Sequence, residues 1–483
     1  MEWLVADDYW LARLVLQRGL AAIYLIAFLV TLNQFRPLLG EHGLMPVPRF
    51  VERVPFRRAP SLFQWRYSDR LLGVVGWLGV ALSLVALTGL SQQGPIWVSM
   101  LVWAALWALY VSIVNVGQLF YAFGWESLLC EAGFLMIFSG PEWMSPTLLF
   151  IVLVSWLVIR VELGAGLIKL RGDPCWRDLT CLEYHHETQP LPGPTSWRAH
   201  HLPRWWHRVE VAGNHVAQVG APVLVALPQP LSSVGGAVII ASQLWLVGTG
   251  NFAWLNWLTM LLAVAAVSDP LIEAGLGLSA PAGLSAPPLW FQGVTIALTL
   301  LVAVLSWPVV RNMISPRQAM NASFDPLHLV NTYGAFGRVT RTRDELVIEG
   351  SEAAEPGVEE GWQPYELKAK PGDPRRRPPQ VAPYHLRLDW LMWFAALGSL
   401  RTHPWLVELV GKLLEGDQAA RELLGHDPFD GRAPAYVRIR RYRYRFTTPA
   451  ERRQSGQWWE RTLIGEELGP VALDDRGRLV PHE

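Results

Sequence analysis

Charge is what this sequence has least of. Asp, Glu, Lys and Arg make up 17% of its 483 residues, against about 25% in an average soluble domain. The two signs cancel, 41 basic against 41 acidic residues, so bulk attraction to nucleic acid is excluded and no nucleic-acid partner is expected. Cysteine is scarce as well, and three residues cannot build a disulfide framework. Lysine is nearly missing: apart from Lys169, Lys368, Lys370 and Lys412, every basic residue is arginine. No Gly-x-Ser-x-Gly elbow, P-loop, Gly-x-Gly-x-x-Gly or Cys-x-x-Cys occurs. Serine hydrolysis, nucleotide-driven transport and thioredoxin-like exchange therefore have no motif behind them.

Apolar residues fill the space that charge leaves. They form 51% of the chain, with 25 tryptophans among the aromatics. Charge is not thinned evenly but is missing from whole stretches: 71–125, 216–268 and 274–310 hold none. A spanning helix needs about 20 predominantly apolar residues. The first stretch holds two spans broken at Ser91-Gln-Gln-Gly-Pro95, and further segments lie at 18–35, 126–140, 146–170, 209–227, 232–250, 253–268 and 290–310. Nine segments result, with eight or nine transmembrane helices; those at 126–140 and 253–268 are short. From about Asn321 charge becomes dense and turn-formers cluster. The runs 338–341 and 346–349 flank Arg343-Asp-Glu and read as a hairpin, 436–446 as a strand and 405–424 as an amphipathic helix. The predicted fold is a polytopic α-helical membrane protein over 1–320 followed by a soluble, mainly β domain over 321–483, with membrane lipids as its surroundings.

Sidedness follows from the loops. Arg36, Arg49, Arg53, Arg57, Arg58, Arg66 and Arg70 fall in one loop, and Arg171, Arg177, Arg198, Arg204 and Arg208 in another on the same side. Loops on the opposite side carry no basic residue, so the positive-inside rule puts the arginine loops and the C-terminal domain in the cytoplasm.

Candidate chemistry gathers in and after one segment. Glu162 and Lys169 are seven residues apart, on one helical face, with Gly166 between them. Glycine there admits close approach of a backbone or ligand. A desolvated lysine can act as a base, with Glu162 tuning it. The alternative is a lysine that snorkels to the interface while Arg160 and Glu162 pair. The following loop holds half of the histidines, His185, His186, His200, His201, His207 and His215, with Arg171 before them and Cys175 and Cys181 in between. Glu183, Glu187 and Glu210 lie among them, and histidine with carboxylate would suit zinc or iron. Yet the His-His pairs are isolated and the cysteine spacing is wide for zinc, so no metal and no cofactor is expected there. A Cys175–Cys181 disulfide requires an oxidising compartment. The run Arg438-Ile-Arg-Arg-Tyr-Arg-Tyr-Arg445 reads as a strand face whose arginines pair with acids.

Several strings carry a resemblance along nearly the whole chain: Asn33-Gln-Phe-Arg-Pro-Leu-Leu-Gly-Glu-His-Gly43, Ser127-Leu-Leu-Cys-Glu-Ala-Gly133, residues 162–192, Gln243-Leu-Trp-Leu-Val-Gly-Thr-Gly-Asn-Phe252 and Asn331-Thr-Tyr-Gly-Ala-Phe-Gly337. They resemble the lipase maturation factor family. The resemblance implies a folding factor, not an enzyme, that assists secreted lipases. It places the C-terminal domain on the extracytoplasmic side, against the arginine count, with Tyr333, Phe336, Trp390 and Trp393 as exposed aromatics that hold the client. More distantly the membrane part is similar to the vitamin K-dependent γ-carboxylase superfamily, in which a catalytic lysine ends a Gly-x-x-Lys helix. Gly166-Leu-Ile-Lys169 matches that pattern, while Gln118-Leu-Phe-Tyr-Ala-Phe-Gly-Trp125 lacks the histidine those enzymes carry in an earlier span. An enzyme acting on a lipid or quinone through Lys169 is the second expectation. The arginine bias points to a bacterial plasma membrane, with the ER membrane as the setting of eukaryotic members.

Overall fold

A computed structural model describes residues 4–355 and 360–482. The N-terminal part is helical. Its main helices are α1 (Trp10–Leu39), α2 (Asp69–Thr88), α3 (Ile96–Val116), α4 (Gly124–Met136), α5 (Leu148–Arg171), α6 (Leu182–Thr188), α7 (Arg204–His215), α8 (Leu231–Thr249), α9 (Leu255–Ala263) and α10 (Leu289–Ile314). Among the described residues six of these (α1, α2, α3, α5, α8 and α10) are long and apolar enough to cross a membrane, fewer than the eight or nine expected. The difference has a physical cause in each case. At 126–140 the chain forms the thirteen-residue α4, about 20 Å long at 1.5 Å per residue and short of a ~30 Å hydrocarbon core. At 253–268 it forms the nine-residue α9 and one 3₁₀ turn. The segment 209–227 begins inside α7, whose exposed side carries Arg204 and Arg208.

Glycine and aromatic side chains set how the spans meet. A Cβ on Gly79 of α2 would lie 2.4 Å from the Phe28 ring, and one on Gly76 2.6 Å from Leu32. The two glycines therefore let α2 lie directly on α1. Tyr24, Phe28 and Tyr110 then stack edge-on at 5.6–5.7 Å between centroids, all buried.

The C-terminal part is an antiparallel sheet of β1 (Arg343–Ser351), β2 (Gln363–Pro364), β3 (Tyr436–Phe446), β4 (Trp459–Leu473) and β5 (Leu479–Pro481), in the order β2-β1-β3-β4-β5. The hairpin expected around Arg343-Asp-Glu is instead one continuous strand, β1, paired with β3 from Arg343↔Tyr444 to Ser351↔Tyr436. Charge misled there because Arg343 and Glu345 are buried: Glu345 takes Arg343 and Lys370, each at 2.6 Å, on one face of the strand. The arginines of β3 face acids across the sheet, Arg438 with Glu349, Arg441 with Glu467 and Arg443 with Asp344, at 2.7–2.9 Å. Helices α11 (Arg387–Ala396) and α12 (Pro404–Leu414) cover the sheet. The expected helix at 405–424 is divided between α12 and a short helix Gln418–Glu422.

This domain is bolted into the helical bundle. All thirteen residues of α4 are buried, including two carboxylates. Glu126 accepts from Tyr110 and holds His385 at 3.2 Å and Arg387 at 2.8 Å. The Arg387 guanidinium lies 3.3 Å over the Tyr121 ring and donates to the Phe120 carbonyl at 2.7 Å. Gln34 of α1 closes the joint, donating to the His385 carbonyl at 2.8 Å and accepting from the Arg387 amide at 2.9 Å. Five residues on, Glu131 pairs with Arg160 of α5 and accepts from the Tyr333 hydroxyl (2.6 Å) and the Asn331 amide (3.0 Å).

Glu131→Ala leaves Arg160 buried without its counter-charge, a class of change that costs about 3–5 kcal/mol. The expected outcome is a lower thermal unfolding midpoint in detergent and faster tryptic release of the C-terminal domain. Docking also depends on pH. Burial, reinforced by the Arg387 cation, holds the His385 imidazole down at about 4, against 6.5 when free. Between these values the undocked histidine binds a proton and the docked one does not, so docking is full above 6.5 and weakens as pH falls towards 4. Trypsin resistance measured from pH 7.5 to 4.5 should fall in that window, and His385→Gln should flatten the profile.

Candidate functional site at the junction of membrane helices and C-terminal domain

Glu162 and Lys169 project from one face of α5, two turns apart and both buried. Gly166 between them explains why that face is accessible. A Cβ there would lie 2.8 Å from Val219 and 3.0 Å from the Gln218 carbonyl, so only glycine admits the π-helical turn Val216–Gly220 this close. That approach delivers the partners of Lys169. Its ammonium donates to Asn214 Oδ1 at 3.1 Å and Gln218 Oε1 at 2.8 Å, and lies 4.8 Å from the centre of the Trp176 ring. Glu162 accepts from Gln243 Nε2 at 2.7 Å, and Gln243 in turn accepts from Asn256 at 2.6 Å. Lys169 is only 5% exposed and does not reach out to an interface. Arg160 is engaged by Glu131 rather than Glu162.

Both groups line a cavity of about 880 Å³ between the membrane helices and the C-terminal domain. Its walls include Phe123, Trp125 and Trp176, together with Arg171, His185 and His186. Tyr333, Phe336, Trp390 and Trp393 line it too. The residues assigned to proton chemistry and those assigned to client contact therefore share one space. None of the four aromatics is the exposed surface expected: Tyr333 is 5% and Trp390 3% exposed, because the former is tied to Glu131 and the latter packs on Trp125 at 4.8 Å, and the other two are half-buried. Phe336 is half-buried against His185 and Phe252, and Trp393 donates to the Thr188 carbonyl at 3.2 Å. The exposed apolar lining comes from Phe394 and Leu397 of the C-terminal domain, 41% and 50% exposed, and from Val209, Trp245 and Met320.

The histidine-rich loop is a folded layer between the two parts. Arg171 is taken by the Met313 carbonyl and Gln318 at 2.6 and 2.7 Å. Cys175 and Cys181 are joined by a disulfide, and beside them Arg341 of the C-terminal domain pairs with Asp173 at 2.9 Å. Arg343 donates to the Pro190 carbonyl at 3.1 Å and Trp197 to the Thr447 carbonyl at 2.8 Å, so loop and domain lie on the same side of the bundle. The six histidines take different places. His185 faces the cavity, where burial, with the Lys169 ammonium nearby, holds its imidazole down at about 3 and keeps it neutral. His200 stands 3.6 Å from Glu187, His201 contacts the Trp197 carbonyl and His215 the Trp176 carbonyl. His186 and His207 converge on Glu210, the three offering ligand atoms within 4.8 Å of one another.

Sequence reasoning missed Glu126, Glu131, Asn214, Gln218 and Gln243. Two acids inside an otherwise apolar run at 126–140 were the signal for the first pair. The amides carried none, because their neighbours are supplied by other elements.

A family profile described as the lipase maturation factor transmembrane domain matches residues 11–274, and one described as the lipase maturation factor C-terminal domain matches 329–469. Lipase maturation factor 1 of Bos taurus is 42% identical over 97% of this chain and 90% of its own length. The Homo sapiens protein of that name is 41% identical over 97% and 89%. Lipase maturation factor 2 of Homo sapiens is 28% identical over 96% and 83%. No solved structure matches the chain.

Proposed function

The chain belongs to the lipase maturation factor family, and from that premise we propose that this multi-pass membrane protein assists the folding and assembly of exported lipases. The observation that carries the reading is the extent of the likeness. It runs through the helical bundle, the histidine-rich layer and the C-terminal domain alike, up to 97% of the chain at 42% identity. A client is a secreted lipase with apolar surface still uncovered, and Phe394 and Leu397 at the cavity rim offer it exposed apolar contact. The C-terminal domain faces the exterior of the membrane that holds it, a bacterial plasma membrane, because the adjoining Cys175–Cys181 bridge belongs in an oxidising compartment. This sidedness runs against the positive-inside count, and on this reading loop arginines such as Arg171, held by Gln318 and the Met313 carbonyl, serve packing and not orientation.

In cells lacking their own factor and expressing a secreted lipase, this chain should restore active lipase in the medium, and crosslinking of the membranes should recover the lipase with it. Phe394→Asp combined with Leu397→Asp should lower the crosslinked yield several-fold without changing the amount of membrane-inserted protein. Recovery of no secreted protein from crosslinked membranes overturns the reading.

A second reading has one observation in its favour: Lys169 and Glu162 stand buried on the wall of a cavity large enough for a lipid or quinone head. In it, Lys169 is the base of a reaction on such a substrate. Lys169→Met should then abolish rescue while the protein still inserts and crosslinks to the lipase; full rescue by that variant rules the enzyme out.

A further inference from the structure

Glu210 of α7 is approached by two imidazoles from different elements. His207, one turn earlier on the same face of α7, places Nδ1 2.9 Å from Glu210 Oε2. His186 of α6 places Nε2 3.4 Å from Oε1. All three side chains are at most 4% exposed. The other nitrogen of His207 lies 3.4 Å from the His200 carbonyl, which only accepts hydrogen bonds. With its proton on Nδ1 a neutral His207 donates to Glu210; with its proton on Nε2 it donates to the His200 carbonyl and turns the Nδ1 lone pair toward the carboxylate, as a metal ligand would. In that second tautomer a positive charge between nitrogen and carboxylate is needed. Nδ1 of His186 is buried with no hydrogen-bond partner, so this ring leaves one nitrogen unsatisfied whatever it donates.

We propose that His186, His207 and Glu210 form a binding site for a divalent transition-metal ion of the zinc class at the wall of the junction cavity. A metal bonded at about 2.0–2.1 Å in tetrahedral geometry separates its ligand atoms by about 3.3 Å. The separations of 2.9 and 3.4 Å to Glu210, and the 4.8 Å limit for the whole set, need only side-chain adjustment to meet that. Two imidazoles and one carboxylate select a borderline ion over calcium or magnesium, which take oxygen, and over copper(I), which takes sulfur. The nearby thiols do not compete, being bonded to each other.

The surroundings are those of a ligand set held in place. The His200 carbonyl orients the His207 ring through its far nitrogen, the usual partner of a metal-bound histidine. The Trp245 indole donates to Glu210 Oε1 at 2.9 Å and fixes the carboxylate. His186 and Glu210 both line the cavity that Lys169 lines. Three protein ligands leave a fourth position for water or an anionic group of whatever the cavity holds. The ion would also pin α6 to α7, the two helices that roof the cavity.

The test uses the full-length protein in detergent, stripped with a chelator and titrated with Co²⁺ as the visible probe and then with Zn²⁺. One equivalent of Co²⁺ should give the intense visible bands of a tetrahedral site, and Zn²⁺ should bleach them. His207→Gln should abolish the bands and weaken Zn²⁺ binding by at least roughly 100-fold. Trp245→Phe, which leaves the ligands in place, should weaken it by about 10–100-fold, and His201→Gln should leave it unchanged. If the wild-type protein takes up no stoichiometric Co²⁺, or if His207→Gln binds as the wild type does, a proton rather than a metal holds the pair and the proposal falls. Should His207→Gln not fold, the wild-type spectrum and Trp245→Phe still decide.

Discussion

Glu126 and Glu131 sit five residues apart on a helix too short to cross the membrane and buried on every side, and the arrangement of the molecule hangs on them. A carboxylate there loses its hydration and is tolerable only with cationic and hydrogen-bonding partners. Glu131 takes one from inside the bundle, Arg160, and others from the C-terminal side, Asn331 and Tyr333. Glu126 takes Tyr110 from the bundle, and His385 and Arg387 from the domain. Neither carboxylate is satisfied by the membrane part alone. The soluble domain therefore completes the electrostatics of the bundle, and its hydrophobic core is continuous with that of the helices, as where Trp405 meets Phe120 at 5.8 Å.

The cavity follows from that docking. With the domain anchored along α4, the aromatic residues of 333–336 and of α11 come down over the polar face of α5, and the histidine-rich layer is trapped between. The enclosed space has one wall of aromatic rings and another of Lys169, Glu162 and their amide partners. A single desolvated ammonium against an aromatic face suits an amphiphile with an anionic head. A protein-folding role and a lipid-handling role are in this way compatible with the same architecture, since the apolar rim and the polar depth are different residues.

Much of this was legible along the chain. Uncharged runs located the long spans, because hydrocarbon rejects charge irrespective of what packs beside it. Glu162, Gly166 and Lys169 stood out for the same reason, and helical periodicity alone put them on one face. The hairpin around Arg343 failed because a charge cluster reads as a turn in one dimension, whereas here Glu345 and Lys370 neutralise it inside a strand. Tyr333 and Trp390 were placed on the surface because nothing in their neighbours says that a membrane helix covers them. His186 and His207 are twenty-one residues apart, a spacing that matches no metal pattern until α6 and α7 are laid side by side.

The sequence by itself determined the class of the protein, its family, the long spans and the ionisable residues inside them. These depend on solvation and local periodicity, which each segment expresses independently of the rest. The tertiary structure alone decided that α4 is a buried anchor and not a span, and that the catalytic-looking lysine and the client-looking aromatics face one cavity. It also brought two histidines and Glu210 together. Each of these rests on contacts between segments tens to hundreds of residues apart, set by the joint packing of bundle, loop and domain and written in no single stretch of the chain.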